Sequence, residues 1–132
     1  MNLHDLKGML LWKRQKEEGF DLCNLKDILM KELEKKETIP KPWGWEKILV
    51  ETKNYRIKLL HINAECRLSK QFHKEKEETL IGIKPRGFDI IHVPPGTIHR
   101  PSAGLSDQEL IEISHGTDKD IIRLEDDYGR ES

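Results

Sequence analysis

The stretch QFHKEKEETL, residues 71–80, places three possible metal ligands directly after a segment that has the pattern of a β-strand. Gln71 and His73 are two positions apart, so on a strand their side chains lie on the same face. Glu78 follows from the next strand, after a turn made by KEKE. These side chains form either a solvated turn or part of a metal site that needs a fourth ligand.

The stretch VPPGTIHRP, residues 93–101, supplies a candidate for that fourth ligand. Pro-Pro-Gly forces a turn, because proline fixes φ and glycine accepts a positive φ. The turn reverses the chain after the predicted strand DIIHV, so we expect His99 to face the interior. Each fragment alone is also compatible with a solvated turn or with a histidine bonded to a backbone carbonyl. Two imidazoles, a carboxylate and an amide oxygen together suit zinc, or another first-row metal with water in its open positions.

Short β-like segments surround both stretches, namely KILVE, YRIKLLHI, TLIGI, DIIHV and ELIEIS. Several short strands at this spacing predict a sandwich or a barrel. Ahead of them, leucines and isoleucines recur at spacings of three and four, which predicts two helices between residues 3 and 37. We therefore expect a helical extension at 1–38 and a β domain at 39–132. The composition of the tail DKDIIRLEDDYGRES predicts a surface segment.

Composition limits the classes of protein that this chain can belong to. Hydrophobic residues make up 36% of the 132 residues and charged residues also 36%, which predicts a thin core and favours a small barrel or a dimer. The net charge of -1 gives no overall field for nucleic acid or an anionic membrane. Cys23 and Cys66 show no motif spacing, which is typical of reduced thiols. The short apolar run at residues 9–12 is neither a signal peptide nor a membrane span, so we expect a cytoplasmic protein.

Five motifs together resemble the cupin domain of the type II phosphomannose isomerases. They are PWGWE (42–46), LSKQFHKEKEE (68–78), PPGTIHR (94–100), LIEISHG (110–116) and DIIRLEDDYGR (120–130). In that family the domain forms the C-terminal part of bifunctional mannose-6-phosphate isomerase/mannose-1-phosphate guanylyltransferases, and it also occurs alone. The resemblance covers roughly residues 40 to 130 and implies a mainly β, jelly-roll barrel. It also implies that the tail folds back near the site, in contrast to the reading from composition.

The resemblance implies a metal site and an activity. Gln71, His73, Glu78 and His99 match the family's metal ligands, and the ion is expected to be zinc or a similar divalent metal. The implied reaction is the aldose–ketose isomerisation of a hexose 6-phosphate. The metal would polarise the carbonyl while a base moves a proton between C1 and C2.

The same resemblance implies roles for several further residues. Arg100, Lys58 and Lys76 match basic positions that are expected to hold a sugar phosphate. The base stays open between a metal-bound hydroxide, Glu112 and His61.

The chain departs from the family between its two metal motifs. Only IGIKPRGF separates Leu80 from Asp89, where the family carries a further pair of strands, and Thr79-Leu80 replaces the family's His-Trp. We therefore expect a barrel shortened by about two strands, with KPRG as a tight turn between antiparallel neighbours. The opened side needs a cover, either the N-terminal helices or a second copy in a homodimer. Two other readings remain: a metal-binding cupin that binds a sugar or small acid without catalysis, and a degenerate paralogue that keeps only the structure.

Overall fold

The computed structural model describes Asp27, residues 30–85 and residues 89–130. The chain divides into two units, Met1–Lys35 and Lys36–Ser132. Of the two predicted N-terminal helices, the first lies outside the described residues, and the second is described at Asp27 and residues 30–34, which are helical. The described part of the chain contains no helix that is long and apolar enough to cross a membrane. The division at 38/39 stays a prediction.

The described residues of the second unit form eight strands and one short 3-10 helix. The strands are β1 (Ile39–Lys41), β2 (Gly44–Glu51), β3 (Arg56–Ile62), β4 (Lys70–His73), β5 (Glu77–Lys84), β6 (Ile90–Val93), β7 (Gln108–His115) and β8 (Ile121–Glu125), and the 3-10 helix is Asp118–Asp120. A six-stranded sheet has the order β1-β2-β3-β7-β5-β6, and β4 and β8 form a second, two-stranded sheet. All the pairings are antiparallel, as expected for a mainly β cupin barrel.

The two sheets are unequal in the way that the short connection between the metal motifs predicts. β5 and β6 are antiparallel neighbours, with Glu78 opposite Val93 and Ile81 opposite Ile90. The second sheet has only two strands among the described residues. The shortened barrel is thereby confirmed. The turn KPRG stays a prediction, because residues 86–88 lie outside the described residues.

The buried face of the large sheet changes from apolar to charged along its strands. At one end, Leu60 lies opposite Leu110, and both belong to a core cluster with Trp43, Ile62 and Leu68. Two residues further along the same face, Lys58 lies opposite Glu112, and both side chains are buried. Because alternate residues of a strand share a face, the register itself carries these two charges into the interior.

The tail is part of the fold and not a loose surface segment, so the expectation from composition was wrong and the expectation from the resemblance is confirmed. β8 pairs with β4, with His73 opposite Ile121 and Gln71 opposite Arg123. The preceding 3-10 helix is capped by Thr117, whose hydroxyl accepts a hydrogen bond from the backbone N–H of Lys119 at 3.1 Å. Composition undervalued this segment because backbone pairing does not need an apolar sequence.

Candidate metal centre

Three side chains from three segments converge at the charged end of the buried face. His73 ends β4, Glu78 lies at the start of β5, and His99 follows the Pro-Pro-Gly turn. The backbone of His99 is held against that of Gln71 by two hydrogen bonds of 2.8 and 2.9 Å. Ligand atoms of His73, Glu78 and His99 all lie within 4.8 Å of one another. The structure thus brings together three of the four side chains predicted to bind metal.

Hydrogen bonds at the far side of each imidazole fix which nitrogen faces the centre. His73 Nδ1 lies 3.1 Å from Asp120 Oδ1, and His99 Nδ1 lies 2.8 Å from the carbonyl oxygen of Thr97. Both oxygens can only accept, so each Nδ1 donates its hydrogen. In the neutral rings, the lone pair is then on Nε2. Each Nε2 lies 3.1 Å from one oxygen of Glu78.

This arrangement fits a divalent cation. Lone pairs of two imidazoles that face a carboxylate repel it unless a positive charge lies between them. His73 Nε2 and Glu78 Oε1 are both buried and lie 3.1 Å apart, and Lys76 Nζ places one positive charge 2.6 Å from the same carboxylate oxygen. A zinc-like ion with bonds of about 2.0–2.2 Å holds neighbouring ligand atoms about 3 Å apart, close to the spacing found. The hydrogen bonds from the two Nδ1 atoms to Asp120 and Thr97 are of the kind that orients metal-bound histidines.

Without a bound cation, the contacts of Glu78 with the two histidines change the pKa values of His99 and Glu78. Burial lowers the pKa of His99, but its hydrogen bond to Glu78 outweighs this and raises it above the ordinary value. Burial raises the pKa of Glu78, but hydrogen bonds from His73 and His99 and the charge of Lys76 lower it well below its ordinary value. The carboxylate is therefore ionised and ready to bind a positive charge.

Gln71 lies at the edge of this cluster. Its side chain is buried and lines the same cavity as His73 and Glu78. Its Oε1 accepts a hydrogen bond from Ser69 Oγ at 2.6 Å. An amide oxygen has a second lone pair, so this bond does not prevent coordination. Its role as the fourth ligand stays a prediction.

Lys76 connects the candidate metal cluster to a network of carboxylates, of which Glu78 and Glu112 are buried and Asp118 is partly exposed. Its Nζ lies 2.6 Å from Glu78 Oε1, 2.6 Å from Asp118 Oδ1 and 3.5 Å from Glu112 Oε2. Burial lowers the pKa of Lys76, but the charges of Glu112, Glu78 and Asp118 outweigh this and raise it. Lys76 is therefore a fixed positive charge beside the centre.

Lys58 lies at the other end of this network. Its Nζ contacts Asp118 Oδ2 at 3.0 Å and Glu46 Oε1 at 3.3 Å. Burial raises the pKa of Asp118, but the charges and hydrogen bonds of Lys76 and Lys58 bring it well below the ordinary value. Asp118 thus bridges the two lysines as an anion.

Glu112 is the carboxyl group of this network that holds a proton near neutral pH. Burial raises the pKa of Glu112 to about 7, against the lowering effect of the charge on Lys76. Glu112 lines the cavity of about 130 Å³ into which the metal cluster opens. A group with this pKa can both accept and return a proton under physiological conditions.

Two residues with predicted roles lie elsewhere. Arg100 donates to the carbonyl of Leu68 at 3.0 Å and to Glu125 and Asp127 at 3.0 and 3.1 Å, outside the lining of this cavity. His61 is also outside the lining, since its ring nitrogens contact Asp107 and Glu109 and its ring stacks on Trp45. Of the two side chains considered as the base, Glu112 lines the cavity and His61 does not.

Asp118 and Asp120 contribute to the site, although no sequence motif singled them out. Both are in the 3-10 helix before β8, and both contact the site or its supporting turn. The available signal was the segment GTDKD between two β-like runs, where Thr117 can cap a helical turn.

Comparisons with known proteins show the fold. No family model matches the chain, and no curated protein matches it. Among solved structures, KdgF from Halomonas sp. is similar at a TM-score of 0.58 and 13% identity, covering 63% of this chain and 89% of KdgF. A sugar phosphate isomerase of the cupin superfamily from Silicibacter pomeroyi has a TM-score of 0.53 and 12% identity, with 64% and 74% of the two chains covered.

A larger protein is similar over part of its length. The capsular polysaccharide assembling protein CapF from Staphylococcus aureus has a TM-score of 0.60 at 12% identity. The alignment covers 68% of this chain but only 32% of CapF, so the chain spans about a third of that protein. At these identities the likeness shows the cupin fold alone, and membership of the type II phosphomannose isomerases stays a prediction.

Proposed function

We propose that this cupin is a metal-dependent sugar-phosphate isomerase that interconverts an aldose and a ketose, as mannose-6-phosphate isomerases do. The observation that carries the proposal is the convergence of His73, Glu78 and His99 beside a cavity that also contains Glu112. The similar structure described as a sugar phosphate isomerase supports the same substrate class. We expect a soluble cytoplasmic enzyme with zinc as its metal.

The mechanism assigns one task to each group. A divalent ion held by His73, Glu78 and His99, with Gln71 as the fourth ligand, would polarise the carbonyl of the substrate and favour an enediolate. Glu112 takes the proton from one carbon and returns it to the neighbouring carbon, since its pKa of about 7 permits both steps.

Other groups of the cavity support those steps. Lys76 keeps a positive charge beside Glu112 and offsets the negative charge that develops on the substrate. Trp43, Leu60 and Leu68 line the cavity and exclude water from part of it.

A second candidate is a cupin that binds a metal and a sugar or small acid without catalysis. One observation favours it: Lys58 and Lys76, the lysines predicted to hold a phosphate, are already paired with the buried carboxylates of Glu46 and Glu112 and with the partly exposed Asp118. This candidate predicts metal content and sugar binding without turnover.

Metal analysis of purified protein, followed by a coupled assay with mannose 6-phosphate, tests the proposal. We expect His73→Ala and His99→Ala to lose most of the bound metal and all of the activity, because each removes a ligand. His92→Ala and His115→Ala are matched controls, since both histidines are exposed. Equal metal loss in all four variants would place the ion elsewhere.

Glu112→Gln tests the role of Glu112 as the base, and turnover by the wild type separates the isomerase from the binding cupin. We expect this variant to retain metal and to lose about 10²- to 10⁴-fold in kcat, the usual contribution of a general base. Full activity in Glu112→Gln would exclude Glu112 as the base. Wild-type protein that binds metal and sugar but turns over no sugar phosphate would favour the binding cupin.

A further inference from the structure

The interior lysines are poorly placed to bind an anionic substrate group. Lys58 and Lys76 have side chains only 9% and 3% exposed, and each is held by two or three carboxylate contacts. A phosphate or carboxylate of a ligand would have to displace Glu46, Asp118 or Glu112 to reach them. Breaking a buried ion pair in this way is costly, so the anion needs another partner.

Three further cations line the same cavity, and we call Lys41, Arg123 and Arg130 the rim. Lys41 and Arg130 each contact one carboxylate, Glu46 at 3.6 Å and Asp126 at 2.9 Å, but their side chains are 34% and 26% exposed, well above those of the interior lysines. Arg123 lies on β8 directly opposite Gln71 on β4. The rim therefore lines the same cavity as His73 and Glu78, with Arg123 beside the strand that carries Gln71 and His73.

Arg130 is the rim residue whose side chain is held in a fixed orientation. Arg130 donates from Nε and Nη2 to Asp126 at 2.9 and 3.0 Å, and its guanidinium lies 5.4 Å from the centre of the Tyr128 ring. These contacts fix the plane of the group but use only two of its five N–H donors. A guanidinium held in this way keeps donors for a planar or tetrahedral oxyanion.

The balance of charged side chains in the cavity also favours binding of an anion. Its lining carries five Lys or Arg side chains and four Glu or Asp side chains. A divalent ion at the cluster adds two positive charges, so the loaded cavity has a positive excess that a bound anion would balance. Burial and the positive charge of Arg130 lower the pKa of Arg123, as expected for two guanidinium groups that lie close together.

We propose that Lys41, Arg123 and Arg130 bind the anionic group, phosphate or carboxylate, of a small polyol whose other end reaches His73, Glu78 and His99. This inference rests on the proposed function for the location of the site, but it concerns ligand binding and not turnover. It replaces Arg100 and the interior lysines as the anion-binding residues.

Calorimetric titration of the zinc-loaded protein with three related polyols tests the rim. Sorbitol, sorbitol 6-phosphate and gluconate share a carbon chain, and none can undergo the aldose–ketose isomerisation, so binding is measured without turnover. We expect at least one of the two anionic polyols to bind about tenfold or more tightly than sorbitol, the value of one charge-assisted hydrogen bond. The tighter of the two identifies the anion as phosphate or carboxylate.

Arg123→Gln should abolish that preference by lowering the affinity for the anionic polyol to that for sorbitol. Arg67→Gln is the matched control, because Arg67 is an exposed arginine that pairs with Asp127 outside the cavity. Melting temperature and zinc content are measured for both variants. If Arg123→Gln does not fold, the salt dependence of the wild type serves instead, since added NaCl should weaken binding of the anionic polyol far more than that of sorbitol.

Three results would overturn the rim proposal: equal affinities for all three polyols, wild-type preference in folded Arg123→Gln, or no salt dependence. Failure of the isomerase proposal is a different result. If the protein prefers the anionic polyol but does not convert mannose 6-phosphate, the rim proposal is supported and the isomerase proposal is contradicted.

Discussion

Glu112 shows how one buried residue links the stability of the fold to its chemistry. Its pKa rises from 4.5 to about 7 because the carboxyl is buried. Between these two values the folded state holds a proton that the unfolded state has released. The free energy of unfolding contributed by Glu112 therefore falls as the pH rises through this window and is level above it.

We predict that Glu112→Gln reduces the loss of stability with rising pH. In the presence of EDTA, the melting temperature of the wild type should fall more between about pH 5 and about pH 8 than that of the variant, because glutamine does not ionise. Glu125→Gln, a substitution of an exposed carboxyl on β8, is the control and should follow the wild type. Identical pH dependence of wild type and Glu112→Gln would mean that Glu112 is not buried as described.

Among the elements, the 3-10 helix before β8 orients the candidate metal cluster. Asp120 Oδ2 accepts hydrogen bonds from the backbone N–H groups of Glu75 and Lys76 at 2.7 and 2.8 Å. Its other oxygen contacts His73 Nδ1. One carboxylate thus fixes both the orientation of a ligand and the turn that leads to Glu78.

We predict that Asp120→Asn weakens zinc binding by about 10- to 100-fold, the usual cost of losing a hydrogen bond to a metal-bound histidine. The amide cannot accept all three hydrogen bonds, because one of its two positions is a donor. Competition with a chelator measures the affinity. Asp127→Asn in the same tail should bind zinc as the wild type does, since Asp127 pairs with Arg67 and Arg100. Unchanged zinc affinity in Asp120→Asn would contradict this role of Asp120.

The start of β2 depends on a close approach that only glycine permits. Gly44 has φ of +152°, and a Cβ there would lie 2.0 Å from the carbonyl oxygen of His61 on β3. We predict that Gly44→Ala lowers the free energy of unfolding by about 1–3 kcal/mol or more. Gly104→Ala is the control, because a Cβ at Gly104 meets no atom within 4 Å. Urea unfolding of both variants measures the difference, and equal stabilities would contradict the close approach.

The sequence predicted the parts of the site that depend on local spacing. The interval between Gln71 and His73, and the turn before His99, are readable because they concern residues a few positions apart. The contacts of Asp120 with His73 span 47 residues and have no local pattern. The family resemblance implies a substrate role for Arg100, and no local pattern indicates its contacts with Glu125 and Asp127 of the tail.

Over the whole molecule, the shortened barrel leaves apolar surface at one edge of the large sheet. β6 is the last strand of that sheet in the described structure, and its Ile90 and Ile91 are 67% and 59% exposed. Adjacent residues of a strand face opposite sides of the sheet, so both sides of this edge are apolar. No lysine or proline within β6 blocks pairing with another strand.

We predict a homodimer in which β6 of two copies pair antiparallel about a two-fold axis, because a strand edge is satisfied by another strand and an antiparallel pair is self-complementary. Sedimentation at micromolar concentration should give twice the 15.5 kDa chain mass. Ile91→Lys should shift the protein to monomer, since the pairing would bury a charge. Leu105→Lys is the control, because Leu105 is 91% exposed and lies outside the strands. A wild-type monomer would contradict the dimer and leave the N-terminal segment of the same chain as the candidate cover.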